Sequence, residues 1–359
     1  MSASPGVNLA DFTTVHLGGP ARRFVRAGTE AELIEAVRTA DAGRDPVLIL
    51  GGGSNLVVAD AGFPGTVIQV ATRGFSSGGE PELVTIAAGE DWDAVVARAV
   101  AEGLAGTECL SGIPGRAGAT PIQNVGAYGQ EVAQTITSVR VLDRTTGDVL
   151  EIPAAQCGFG YRTSRFKAED AGRFVVLSVT FRLAAQALSM PVRYAELATA
   201  LGVRVGDQVD CTEVRAAVIE LRQGKGMVLD PADPDTRSAG SFFLNPVLDE
   251  PTMAVLEKAA RARCGEDVRV PRFEAGAGQV KVPAAWLIER AGFGKGYRLA
   301  DGARISSKHT LALVSTGSVS TGSASTAALI ALATHIRDGV YDAFGVALSP
   351  EPVLVGVTL

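Results

Sequence analysis

The chain has 359 residues, 47% hydrophobic and 20% charged, with 42 glycines and 17 prolines spread along it. It is too apolar to be disordered and long for one core, so two or three packed lobes joined by many tight turns are expected. A net charge of −6 excludes a general electrostatic trap for nucleic acid or anionic membrane, so an anionic ligand must be held by local cations or backbone amides.

Residues 20–70 read as strand, helix, strand, loop and strand. Thr29 and Glu32 have capping-box spacing ahead of a helix whose Leu33, Ile34 and Val37 share one face, with Gly43 past its end. Residues 47–50, VLIL, predict a short strand buried on both faces. GGGSN at 51–55 follows, and an apolar, β-branched pattern resumes at 56–59. A dinucleotide fingerprint would need a third glycine opening a helix, whereas Leu56 stands there and opens a strand, so a nicotinamide-binding Rossmann loop is disfavoured. Taken alone, 51–55 is either a plain hairpin turn or a nest of amides for a pyrophosphate.

Further strands are predicted at 84–87, 138–142, 149–152 and 174–183. A helix over 92–102 has Val95, Val96, Ala99 and Val100 inside and Gly103 at its end. The segment 109–129, CLSGIPGRAGATPIQNVGAYG, reads as a long loop without secondary structure. Its Ile113, Ile122, Val125 and Tyr128 are too apolar for a solvated linker, which predicts ordered backbone wrapped around a ligand. From about residue 225 a third stretch carries helices after Pro251, over 283–291 and over 324–337. The tract STGSVSTGSAS at 315–325 reads as a flexible surface loop, and 348–356 as a strand entered through a proline-fixed turn.

The isolated cysteines Cys109, Cys157, Cys211 and Cys264, without any CxxC, are expected to be reduced core thiols, and with three histidines no metal centre is expected. Residues 1–10 lack the basic start and apolar stretch of a signal peptide, and no apolar run reaches the roughly 18 residues of a membrane span. A cytoplasmic monomer is expected, with neither nucleic acid nor membrane as partner.

Single residues with chemical potential are ambiguous. Arg162, in YRTS, is a surface charge or a fork for carboxylate or phosphate. Ser241, in SAGSFFLNP, lies at a strand edge or in a dry pocket; without a Gly-x-Ser-x-Gly elbow or nearby histidine, a Ser–His–Asp hydrolase is poorly supported. Glu351 stands between Pro350 and Pro352, either exposed at a turn or placed for a purpose.

The combination is specific. GGGSN at 51–55, GIPG through PIQNVGAYG at 112–129, YRTSRFK at 161–167, GSFFLNP at 240–246, AAWLIERAGF at 284–293 and LSPE at 348–351 occur in this order over nearly the whole chain. With them the chain resembles the UDP-N-acetylenolpyruvoylglucosamine reductase family, in the subtype carrying a substrate-binding tyrosine loop.

The resemblance implies an α/β (α+β) fold of the vanillyl-alcohol-oxidase flavoprotein type in three parts. Residues 1–72 plus 345–359 and residues 73–224 would bind FAD, and residues 225–344 the substrate. Gly51, Gly52, Gly53, Ser54 and Asn55 would cradle the FAD pyrophosphate. Gly112, Ile113, Pro114, Gly118, Ala119, Pro121, Asn124, Gly126, Ala127, Tyr128 and Gly129 would run along its isoalloxazine and ribityl parts. Attachment would be non-covalent, since His16, His309 and His335 lie outside both loops. NADPH would reduce FAD in a ping-pong cycle, and the substrate would be UDP-N-acetylglucosamine enolpyruvate, reduced to UDP-N-acetylmuramate for peptidoglycan synthesis. Ser241 would supply a proton, Arg162 and Glu351 would hold the carboxylate, and Tyr194, Lys225 and Asn245 would bind the nucleotide end. A flavin alcohol oxidase on the same scaffold and a non-catalytic FAD-binding relative are the rival readings; the trio Ser241, Arg162 and Glu351 argues against both.

Overall fold

The computed structural model describes residue 4 and residues 6–276, 278–317 and 322–359. The chain divides into two compact units. One comprises Ala21–Gly52 and Pro64–Val228 with the described residues up to Val7; the other comprises the described residues of Asn8–Pro20, Gly53–Phe63 and Leu229–Leu359.

The first unit is built on two sheets. In the smaller, the strands run in the order Ala21–Ala27, Phe63–Val70, Val47–Leu50, with the last two parallel. The helix Glu30–Ala42 connects the outer two, and the capping box is present, with Thr29 and Glu32 each satisfying the other's backbone. Leu33 and Val37 are fully buried, whereas Ile34 is half-buried. Val47–Leu50 corrects an expectation: only Leu50 is buried. The strand lies at the sheet edge, so its apolar run reflects β-propensity more than two covered faces.

The larger sheet has five antiparallel strands in the order Val149–Pro153, Ile136–Asp143, Phe174–Arg182, Leu83–Ala87, Phe75–Ser77. Its central strand, Phe174–Arg182, is buried through Val175–Val179 on both faces. Helix Trp92–Ala101, capped by Asp91, turns Trp92, Val95, Val96, Ala99 and Val100 inward. Trp92 packs at 5.7 Å on Phe181. Each such apolar side chain, fully buried, contributes roughly 1.5–3 kcal/mol. Ile113, Ile122 and Val125 pack against this core as partly buried residues, which ties the 109–129 segment to the sheet. That segment is not free of secondary structure: it contains the 3-10 turn Ala117–Ala119 and the short helix Thr120–Gln123. Thr120 starts a hydrogen-bonded turn closed by Asn124 in a left-handed conformation, a stop that propensity alone does not reveal.

The second unit has a three-stranded sheet in the order Ser238–Ser241, Ala312–Ser315, Ala303–Ile305, and a smaller one in the order Val247–Leu248, Val280–Lys281, Phe273–Glu274. Helices Glu250–Cys264, Ala284–Ala291 and Thr326–Phe344 cover the core. The last helix runs further than expected because Ser325 caps its start and Gly345 its end, and Leu329, Leu332, Ile336 and Val340 form one buried face. Of the 315–325 tract, residues 318–321 lie outside the described residues; Ser315 is a buried strand residue and Ser325 a helix cap, so those ends are not a solvated loop. The strand Val353–Val355 pairs in parallel with Leu56–Val58. All four cysteines are free, Cys109, Cys157 and Cys211 buried and Cys264 partly exposed. Among the described residues no helix is long and apolar enough to cross a membrane.

Candidate functional site

In the first unit the two glycine-rich segments meet. Gly52 approaches Gly115 so closely that a Cβ would sit 2.8 Å from its Cα, and a Cβ on Gly51 would lie 3.6 Å from the Arg116 side chain. The second segment is strapped down by Gly115 O accepting from Trp92 N at 3.1 Å, and by Ala117 N and Gly118 N each donating at 2.9 Å, to Glu90 O and Ala88 O. Gly118 has no room for a side chain, since its Cβ would be 2.5 Å from that of Ala88. Pro121 is buried in the first turn of Thr120–Gln123, and Ala119 just before it is exposed. At the start of the segment Gly112 N donates to Asp93 Oδ1 at 2.6 Å, while Arg215 holds the same carboxylate with two bonds of 2.6 and 3.0 Å. Burial pushes the Asp93 carboxyl up, but these bonds and the arginine charges outweigh it and leave it below the usual carboxylate value.

The segment ends in a two-residue hairpin. Gly126–Ala127 pairs with Gln130–Glu131, and the turn residues Tyr128 and Gly129 have φ of 47° and 85°. Two positive φ values match a type I′ turn, normally made by Asn-Gly, so a bulky Tyr128 there is held against local preference. Asn124 (φ 43°) and Arg162 (φ 51°) are left-handed as well. Arg162 Nη1 donates to Asn124 O at 3.3 Å, and Nη2 donates to Gly126 O. The Asn124 amide donates to Gly160 O and Glu131 Oε2, both at 2.8 Å, and accepts from Ala133 N at 3.2 Å. Ser164 Oγ donates to Ile122 O at 2.8 Å, completing a knot between residues 120–133 and 160–167. Backbone strain of this kind concentrates where function over-determines geometry.

Tyr194 and Lys225 belong to the same unit and converge on Tyr128. Tyr194, preceding helix Ala195–Leu201, meets the Tyr128 ring edge-on at 5.6 Å. Lys225 Nζ lies 5.5 Å from the Tyr128 ring centre and pairs with Glu196 at 2.7 Å. Burial pushes the Tyr128 hydroxyl up to about 12, so it is a proton-bearing donor at neutral pH.

Sequence reasoning missed Arg222. It is 9% exposed, its Nη2 donates to Met227 O at 2.9 Å, and its Nε has no hydrogen-bond partner among the described residues. A Cβ built on Gly112 would be 3.5 Å from that Nε, so the guanidinium underlies the start of the glycine-rich segment. Burial lowers its pKa to about 10, which still leaves it cationic at neutral pH. A signal existed: Cys211, Val214, Val218 and Arg222 are the buried residues of helix Cys211–Gly224, which puts a charge on an apolar stripe.

In the second unit, Ser241 ends a strand that carries an irregularity: Ser238 opposes Val314 and Ser241 opposes Ala312, with Gly240 at φ 74° between them. A bulge of this kind re-aims the next side chain. Beyond it, Phe242 N donates to Leu311 O at 2.7 Å, Glu351 N donates to Phe242 O at 2.9 Å, and Leu244 N donates to Ser349 O at 3.0 Å. Residues 242–244 therefore run antiparallel to 349–351, and Glu351 stands beside the residue that follows Ser241. Asn55 clamps the same stretch, accepting from Val353 N at 2.9 Å and donating from its side chain to Glu351 O at 3.4 Å. Gly53, at φ 63°, leaves no space: a Cβ would be 1.8 Å from Phe12 O. Asn245 Oδ1 caps helix Ala284–Ala291 by accepting from Ala284 N at 2.9 Å, so its oxygen has a structural task and its Nδ2 is the end able to reach a ligand.

Comparison with known proteins completes the picture. A family model described as an FAD binding domain matches residues 21–153, and one described as the C-terminal domain of UDP-N-acetylenolpyruvoylglucosamine reductase matches residues 231–355. The UDP-N-acetylenolpyruvoylglucosamine reductase of Thermobifida fusca is 54% identical over 361 residues, spanning 100% of this chain and 99% of that one. The enzyme of that name from Streptomyces coelicolor is 55% identical over 352 residues, 98% of this chain and 90% of the other. The crystal structure of UDP-N-acetylenolpyruvylglucosamine reductase from Thermus caldophilus shares the fold, with a TM-score of 0.64 at 24% identity over 99% of both chains.

Proposed function

The chain belongs to the UDP-N-acetylenolpyruvoylglucosamine reductase family, and from that premise we propose that it reduces UDP-N-acetylglucosamine enolpyruvate to UDP-N-acetylmuramate with electrons from NADPH. It is an FAD flavoprotein oxidoreductase of vanillyl-alcohol-oxidase-type fold, serving peptidoglycan precursor synthesis. The residues present fit the cofactor. Gly52 packs with its backbone bare on Gly115, and Gly118 and Gly126 likewise leave no room for a Cβ, so the two glycine-rich loops lie close enough together to form one cradle for the cofactor. In our reading Gly51 to Asn55 hold the pyrophosphate, and the residues named above between Gly112 and Gly129 flank the ring system and ribityl chain. The three-part division, with residues 1–72 plus 345–359 and 73–224 for FAD and 225–344 for substrate, belongs to the same proposal.

Bound FAD, once reduced by NADPH, would supply hydride to the terminal carbon of the substrate's enolpyruvyl double bond. The chain's own residues do the rest. Charge then builds on the carbon bearing the carboxylate. Arg162 and Glu351 bind that carboxylate, Glu351 in its protonated form, and stabilise the enolate. Arg162 is suited to this because its strained backbone and its bonds to Asn124 O and Gly126 O fix the guanidinium in advance. Ser241 Oγ gives its proton to the carbanionic carbon. Tyr194 and Lys225 grip the diphosphate, and Asn245 contacts the nucleotide through Nδ2.

The observation that supports this most is the pairing of 242–244 with 349–351, which brings Ser241 and Glu351 to neighbouring positions from opposite ends of the domain sequence. The test is anaerobic and has two stages. NADPH should bleach the flavin bands, and the enolpyruvyl substrate should restore them. Ser241→Ala should bleach normally and regain colour at least about a hundredfold more slowly. A flavin that only oxygen reoxidises would overturn the reductase reading in favour of an oxidase.

A further inference from the structure

Glu108 has no place in the chemistry above, yet it is 0% exposed, and two of its side-chain bonds reach segments that carry proposed ligand-binding residues. Its Oε2 accepts from Gly106 N at 2.6 Å. Its Oε1 accepts from the Gln130 side chain and from Met190 N, each at 2.8 Å. Gln130, itself buried, returns the connection by accepting from Cys109 N at 2.9 Å. One carboxylate thus joins three stretches of chain. Gln130 directly follows the hairpin turn that holds Tyr128 in its strained conformation, and Met190 lies four residues before Tyr194.

The two tyrosines meet edge-on, and Lys225 sits over the Tyr128 ring. Each tyrosine stands at a short local element: Tyr194 O accepts from Ala198 N at 3.0 Å in the first turn of its helix, and Tyr128 sits in a two-residue hairpin. Tyr128 occupies a turn, and Tyr194 precedes the first residue of a seven-residue helix without capping it by its side chain. Glu108 is a buried anchor common to both segments. We propose that Glu108 is a positioning residue that sets the Tyr128–Tyr194 spacing and with it the grip on the substrate's nucleoside diphosphate. This rests on the reading of Tyr194 and Lys225 as diphosphate ligands.

The chemistry of the carboxylate makes the proposal testable. A glutamine at 108 can keep its oxygen toward Gln130 and Met190 and lose only the Gly106 bond, where its NH2 would oppose a donor. An alanine loses all three. Glu108→Ala is therefore expected to raise KM for the enolpyruvyl substrate roughly tenfold or more, while the rate of flavin reduction by NADPH stays within about twofold. Glu108→Gln is expected to restore KM to within about threefold of the parent, even where it lowers thermal stability. A merely structural glutamate would harm stability and both half-reactions together, without rescue by glutamine.

Unchanged KM in flavin-loaded Glu108→Ala overturns the inference, as does an equal KM defect in the alanine and glutamine variants. Should the alanine variant yield no flavoprotein, Gln130→Leu decides, because it cuts the ties from the tyrosine hairpin to Glu108 and Cys109 N and leaves the Gly106 and Met190 bonds in place. A severalfold rise in KM supports the inference and an unmoved KM overturns it. Tyr194→Ala and Lys225→Met, measured alongside, separate the two failures. If they raise KM and the Glu108 and Gln130 variants do not, only the positioning role falls; if they leave KM unmoved, the diphosphate reading falls and takes this inference with it.

Discussion

Adding one methyl group at Gly53 should be among the most damaging single-carbon changes in the chain, and adding it two residues earlier among the mildest. Gly53 has φ 63°, and its Cβ would stand 1.8 Å from Phe12 O and 2.9 Å from both Phe12 C and Thr13 Cα. All three are backbone atoms, so no side chain can rotate away. The left-handed conformation costs an alanine about 1–2 kcal/mol, and forcing backbone aside adds typically about 1–3 kcal/mol, together roughly 2–5 kcal/mol. For a protein of this size that is a fall in melting temperature of roughly 3–7 °C. Gly51 has no positive φ, and its Cβ would make ordinary contact at 3.6 Å with the Arg116 side chain, so Gly51→Ala should stay within about 0.5 kcal/mol of the parent. Thermal unfolding of FAD-stripped protein, followed by circular dichroism, removes the contribution of cofactor binding from the comparison. A Gly53→Ala protein melting within about 2 °C of the parent, or a Gly51→Ala protein equally destabilised, would refute the reasoning.

Arg222→Gln should make the flavin harder to reduce, because reduction adds electron density and this variant removes a buried cation beneath Gly112. A tenfold shift in the two-electron equilibrium corresponds to about 30 mV, and an unchanged midpoint potential in the flavin-loaded variant would count against the cation's role. The Asp93–Arg215 pair should give a pH signature. The folded pKa of Asp93 lies below its unfolded value, so the stabilisation is complete above that unfolded value, about 3.9, and is lost as pH falls through the folded pKa beneath it. Asp93 is 36% exposed, so screening limits the pair to about 1 kcal/mol near neutrality. Urea midpoints of parent and Asp93→Asn should therefore differ at pH 7 and draw together as pH falls below the unfolded value; a difference undiminished in acid would show that the ion pair is not its source.

What the sequence revealed and what it hid divide along a physical line. Features whose cause lies within a turn of helix or a few residues of chain were legible. The Thr29–Glu32 box and the buried face of Val95, Val96, Ala99 and Val100 follow from local spacing and stand where expected. The 112–129 segment was legible as ordered backbone from Ile113, Ile122 and Val125, which do pack on the core. Val47–Leu50 misled because an apolar run reports composition, whereas burial depends on which strands flank it, and Phe63–Val70 took the central place. The end of the last helix was missed for a similar reason: Val340 and Phe344 continue the buried face, and the stop is set by Gly345 at φ 69°.

The site residues show the same division more sharply. Ser241, Arg162 and Glu351 were singled out through a family pattern, while their individual chemistry stayed ambiguous, because the setting of each depends on partners distant in sequence. The Arg162 guanidinium is held by the carbonyls of Asn124 and Gly126, thirty-eight and thirty-six positions away. Glu108 goes further in that direction, since nothing in its neighbours distinguishes it and its burial becomes intelligible only when Gln130 and Met190 are seen to donate to it across twenty-two and eighty-two positions. A buried carboxylate is costly unless its oxygens are satisfied, so this convergence of N–H groups is itself a reason for the hairpin and the tyrosine segment to stay together. In such a site the residues that touch ligand can be read from a motif, whereas those that hold them in register must be read from the fold.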